Sequence, residues 1–187
     1  MELSRSFFRR YLYADASSVD EVRGDLWNTK ISSDKYLGVE EKYRTAILEQ
    51  YKIYVEMADR VSARRALANT FFLTLNTALF ALIGAALKDG ITGSTWLLAI
   101  PLFALIAQCA AWFWIVRSYR QLNSAKYAVI GALEEQLPAS PYWKAEWTAL
   151  GSGKIKSRYW PLTHLEQWLP VLFAASYASI FAALALT

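Results

Sequence analysis

One histidine and one cysteine are all that the 187 residues contain, and this removes several kinds of chemistry at once. His164 alone cannot build a histidine-based metal cluster. Cys109 alone supports neither an intrachain disulfide nor a cysteine-cluster metal site, and its place in an apolar run reads as that of a small buried hydrophobe. There is no glycine-rich loop to cradle phosphates, no serine in a nucleophile elbow and no paired acidic motif. Asp15, Asp20, Glu21, Asp25 and Asp34 are scattered and read as a solvated surface. The sequence therefore predicts a protein that is not an enzyme and needs no cofactor and no metal.

Charge is the next absence. Residues 66–87, 96–116 and 168–186 contain no Asp, Glu, Lys, Arg or His. Each run approaches the roughly 20 helical residues that a bilayer core requires, so all three are predicted to cross a membrane. A hydrophobic share of 55% beside 19% charge fits a small membrane protein better than a soluble domain. Trp96, Trp112, Trp114, Tyr119, Trp160 and Trp168 stand near the ends of these runs, where aromatic belts meet the headgroups. Residues 1–13 are interrupted by Arg5, Arg9 and Arg10 and are not expected to be a signal peptide, which leaves the first span as the insertion signal.

Positive charge sets the expected orientation. Arg60, Arg64 and Arg65 precede the first span, and Arg117, Arg120 and Lys126 follow the second. The loop between them carries only Lys88 and Asp89, with Gly90 and Gly93 to permit a turn. The positive-inside rule then places the N-terminus in the cytoplasm and the C-terminus outside.

Proline is missing from 40–87, and Gly84 is the only glycine there. Ile47, Tyr51, Tyr54, Ala58 and Val61 recur at spacings of three and four, which predicts one long helix of about 70 Å. After the second span, Leu122, Ala125, Val129, Ile130 and Leu133 form a similar stripe that ends before Pro138. The expected architecture is an all-α membrane protein: a transmembrane hairpin with long cytoplasmic helical extensions and a third, C-terminal transmembrane helix. Its parts are an N-terminal region over 1–39, the long-helix hairpin over 40–137, an interfacial connector over 138–167 and the third span over 168–187. Within the connector, residues 141–147 suit a helical turn, Lys154, Lys156 and Arg158 form a basic patch, and Thr163 with Glu166 reads as a capping box.

The residues that point to function are polar groups inside the membrane. Asn69, Leu73 and Asn76 share a face of the first span, with Thr70 and Thr77 nearby. Asn69, Leu73, Asn76 and Thr77 are therefore candidate pore-lining residues, although interhelical hydrogen bonding is the other role open to the asparagines. Gln108 in the second span is expected to pair with one of them. Arg60, Arg64, Arg65, Arg117 and Arg120 suit a cytoplasmic mouth that attracts anions, or simply topology and headgroup contact. Arg5, Phe8, Arg9, Arg10 and Tyr11 mix cations with aromatics, a combination that can hold phosphates and stack bases or lie on an anionic membrane. Trp27 is a further candidate ligand contact.

The stretch from Tyr51 to Arg65 running into a polar-flecked span, and the exit from Tyr119 to Lys126, resemble the SLATT proteins. These are two-span membrane effectors of bacterial conflict systems that are found beside nucleotidyltransferases. The resemblance covers about half the chain, roughly 40–137, and its motifs are compositional; the third span is a departure from a strict two-span effector. It implies a homo-oligomer of four or more copies that forms a pore in membrane lipid. A nucleotide or short DNA ligand, made by a nucleotidyltransferase encoded nearby, would gate it, and opening would arrest a phage-infected cell. The alternative is a non-conducting scaffold that recruits a cytoplasmic partner.

Overall fold

The computed structural model describes residues 17–28, 40–88, 98–151 and 162–186. Four helices carry the fold: α1 (Val19–Leu26), α2 (Glu40–Lys88), α3 (Ala99–Glu134) and α4 (Leu162–Leu186). A π-helical turn, Pro141–Glu146, and one α-turn, Trp147–Ala149, follow α3. No strand occurs among the described residues. Helices α2, α3 and α4 are each long and apolar enough to cross a bilayer, so the protein is an all-α membrane protein with a third, C-terminal transmembrane helix. The loop over 89–97, the basic patch at Lys154, Lys156 and Arg158, and the Thr163 side chain of the expected capping box lie outside the described residues.

The chain divides into two compact units. One joins Met1–Ala63 to Tyr119–Trp160, and the other joins Arg64–Ser118 to Pro161–Thr187.

The first unit is built on the amphipathic stripe of α2. Ile47 and Ala58 are buried and Tyr51, Tyr54 and Val61 half-buried, as their spacing requires. On the facing part of α3, Ile130 and Leu133 are buried and Ala125 and Val129 half-buried, as the apolar stripe in the sequence requires. Leu122 is 46% exposed, whereas the neighbouring Asn123 and Lys126 turn inward. The reason is that both polar residues have specific partners. Asn123 Nδ2 donates to Ser62 Oγ over 3.1 Å, and the Lys126 ammonium sits 4.7 Å from the centroid of the Tyr54 ring. A partnered Lys buries its stem, so the buried face also takes in polar residues that hydrophobicity does not mark.

Helix α1 opens with a capping box: Ser18 Oγ accepts from Glu21 N–H, and Glu21 Oε2 accepts from Ser18 N–H. It packs on α3, where Ser17 N–H donates to Ser124 Oγ. Val19 and the Trp143 ring both close over Gly131, and a Cβ there would lie 2.8 Å from each. Glycine is thus a steric requirement at this position.

The Arg23 guanidinium holds Glu135 as a fork, Nε to Oε2 at 2.8 Å and Nη2 to Oε1 at 2.6 Å, while Nη1 reaches Asp20. Arg23 holds the Glu135 carboxyl below its ordinary value. A carboxyl depressed in the folded state contributes stability above its unfolded pKa and loses it as pH falls through the folded one. Acidification through the lower carboxylate range is therefore expected to release α1 from α3. Thermal unfolding in detergent across that range checks this, and Glu135→Gln is expected to flatten the acid limb of the profile.

The second unit contains the membrane-crossing parts of α2 and α3 together with α4. Near the start of α4, Glu166 Oε2 lies 3.6 Å from Arg65 Nε of α2, with both side chains mostly buried.

Candidate functional site

Asparagine in an apolar helix is tolerated when its amide finds partners, because lipid offers none. Each asparagine of the first span finds them inside the protomer. Trp112 Nε1 of α3 donates to Asn69 Oδ1 over 3.0 Å. Asn76 is wholly buried. Its Nδ2 donates to Phe72 O, one turn back in α2. Its Oδ1 faces the Cys109 thiol of α3 at 3.5 Å and the Tyr177 hydroxyl of α4 at 3.1 Å. The same hydroxyl lies 3.1 Å from the Asn76 backbone oxygen. One side chain thereby joins all three membrane helices.

Aromatic rings enclose this node. Phe72 stacks on Trp112 with centroids 5.9 Å apart, and Trp112 and Tyr177 both contact Phe173. Phe80 packs against Phe173 and Tyr177 from α2. Trp112, Cys109 and Tyr177 are all buried. The arrangement is suited to fixing helices against one another, since it offers neither a nucleophile–base pair nor an open polar cavity. Helix α4 takes part in the node directly, because Tyr177 supplies a hydrogen bond to it.

The four residues marked as a pore wall separate into two groups. Asn69 and Asn76 belong to the node, while Leu73 and Thr77 are exposed on the protomer surface. The Thr77 hydroxyl donates to Leu73 O over 2.8 Å, which leaves its oxygen lone pairs outward. Gln108 does not pair with either asparagine. It borders a groove of about 450 Å³ with Leu79, Leu82, Ile83, Ala86, Pro101, Ala104 and Leu105, and its buried Nε2 has no hydrogen-bond partner among the described residues.

The mouth arginines are divided between the units. In the first, Arg60 is exposed and bonds Glu56 one turn away, and Arg120 is half-buried. In the second, Arg64 is exposed, Arg65 faces Glu166, and Arg117 is buried with its guanidinium 5.6 Å from the Trp114 centroid. Arg5, Phe8, Arg9, Arg10 and Tyr11 lie outside the described residues. Trp27, half-buried, forms the C-cap of α1 in extended conformation.

A second polar centre escaped the sequence reading. Glu134, at the end of α3, is 1% exposed. Its carboxylate accepts from Tyr51 OH at 3.2 Å, Ser140 Oγ at 2.6 Å, and the backbone N–H groups of Tyr142 and Trp143 at 3.0 Å each. The two N–H groups open the π-helical turn, so the carboxylate satisfies donors that such a terminus leaves bare. Burial, with Glu134 alongside, pushes the Tyr51 hydroxyl up to about 12. The only hint in sequence is an acidic residue shortly before the Ser140–Pro141 pair that starts the next helical segment.

Residues 48–186 match the model of the octameric membrane protein family, which spans most of the chain. The protein belongs to that family and is an oligomeric membrane protein. No curated protein and no solved structure matches the chain.

Proposed function

We propose that eight copies of this chain form an ion-conducting pore that permeabilises the membrane. The observation that carries the reading is membership of an octameric family by a chain with three membrane-crossing helices. Copies inserted the same way round can only be related by an axis along the membrane normal, which makes the assembly a closed ring. Eight helices spaced about 10 Å apart enclose an axial gap about 16 Å wide once a helix radius of about 5 Å is subtracted. One helix per subunit cannot fill such a gap. Leu73, an exposed member of the marked set, supplies a wall residue, and Asn69 and Asn76 hold the wall helix from behind.

The resemblance to SLATT effectors supports the biological setting: a non-enzymatic anti-phage effector in the bacterial inner membrane, with its N-terminus in the cytoplasm. In this setting a nucleotide or oligonucleotide from a partner nucleotidyltransferase gates the pore through Arg5, Phe8, Arg9, Arg10 and Tyr11. The mouth arginines draw anions toward it. The test is phage challenge of bacteria that express the protein together with its neighbouring genes. A membrane-impermeant dye is expected to enter before lysis. Cells that remain sealed, with the protein demonstrably inserted, would remove the proposal.

A further inference from the structure

In a ring of same-way copies every subunit must present two different surfaces, one to each neighbour. The second unit carries two such surfaces. The first is a face of α2 on which Ala66, Thr70, Thr74, Thr77, Ala81 and Gly84 follow at spacings of three and four; all six are exposed. A Cβ added at Gly84 would meet nothing within 4 Å in the protomer. Leu67, a bulky neighbour that suits lipid, flanks this face. Hydroxyls in a span normally face protein or water, and small residues allow helices to approach closely.

The second surface is the groove between α2 and α3 that Gln108 borders. Leu79, Leu82 and Ile83 place it away from the small-residue face of the same helix. Depth in the membrane relates the two. Asn76 and Cys109 meet across the antiparallel pair, so by equal rise along both helices Thr77 is level with Gln108 and Ala81 with Ala104. Rotation about the membrane normal preserves depth, so it brings those levels together between neighbours. The Gln108 amide, whose Nε2 has no partner among the described residues, can then turn to donate to the outward oxygen of a neighbour's Thr77.

We propose that the Thr70–Thr74–Thr77 face of α2 in one copy seats in the Gln108 groove between α2 and α3 of the next, and that this contact closes the ring. The proposal needs an oligomer of same-way copies and is independent of conduction.

Paired cysteines test it in the full-length chain, with Cys109→Ser as background. Ala81→Cys combined with Ala104→Cys, checked first for full oligomeric mass, is expected to give an oxidation ladder running beyond dimer toward eight. Ala81→Cys alone should give none. An intact oligomer that oxidises without a ladder, or one in which Ala81→Cys alone forms dimers, overturns the proposal. Gly84→Leu adds a second readout. The protomer has room for the side chain, so helix content should persist while oligomeric mass falls at least twofold. An unchanged mass would place Gly84 in lipid and also overturn the assignment.

Discussion

Glu134→Ala is expected to cost the first unit about 3–5 kcal/mol, the range for removing one partner from a buried charged network. Four donors lose their acceptor together: the Tyr51 and Ser140 hydroxyls and the N–H groups of Tyr142 and Trp143. With them goes the anchor that holds Trp143 over Gly131 and Val19. Denaturant unfolding in detergent should show the loss, and hydrogen exchange should place it first at 140–149. Glu134→Gln is expected to fall between, because one amide oxygen remains while an NH₂ group meets donors instead of accepting from them.

The same network has an alkaline limit. The Tyr51 pKa is raised in the folded state, so its contribution is present below the ordinary tyrosine value of 10 and is lost as pH rises toward about 12. Tyr51→Phe should remove that limb of the stability profile. A Glu134→Ala protein as stable as the parent would show that the carboxylate is incidental.

Asn76→Leu is the second large effect. The substitution nearly preserves volume but removes the acceptor of Tyr177 and Cys109 and the donor to Phe72 O. Interhelical polar contacts in membranes contribute about 0.6–2 kcal/mol each, and Asn76 makes two, so a loss of about 1–4 kcal/mol is expected as α4 loosens from the hairpin. The thermal midpoint in detergent measures it. Tyr177→Phe should reproduce part of the loss, and the double substitution should cost less than the sum, as expected for residues sharing one bond. If Asn76→Leu instead alters conductance at unchanged stability, and Tyr177→Phe does nothing, Asn76 faces an ion path and the node is not its main role.

Much of the fold is legible because it follows from absences. Runs without charge identify the three membrane helices, and the lack of proline over 40–87 anticipates an unbroken α2. The stripe from Ile47 to Val61 was readable because its residues are apolar and periodic. Its counterpart on α3 was readable at Ile130 and Leu133 but not at Asn123 and Lys126, which turn inward toward their partners Ser62 and Tyr54 and not by hydrophobicity.

The site was less legible for the same reason. Tyr177 meets Asn76 across 101 positions, and Tyr51 meets Glu134 across 83. No local spacing encodes such pairs. Asn69 and Asn76 stood out as polar in an apolar run, which gave their importance but not the side of the helix they serve. The sequence predicts Gln108 as the partner of an asparagine, whereas Trp112, Cys109 and Tyr177 occupy those places. An assembly of four or more copies was implied only by the SLATT resemblance, and the oligomeric, octameric family came from the family match.

The decisive measurement is planar-bilayer recording from the purified oligomer after its mass has been determined. The expected result is a mass of eight subunits and discrete, stepwise conductance that shifts when nuclease is added. An octamer of full mass that stays electrically silent across the voltage range, both before and after nuclease, would contradict the pore.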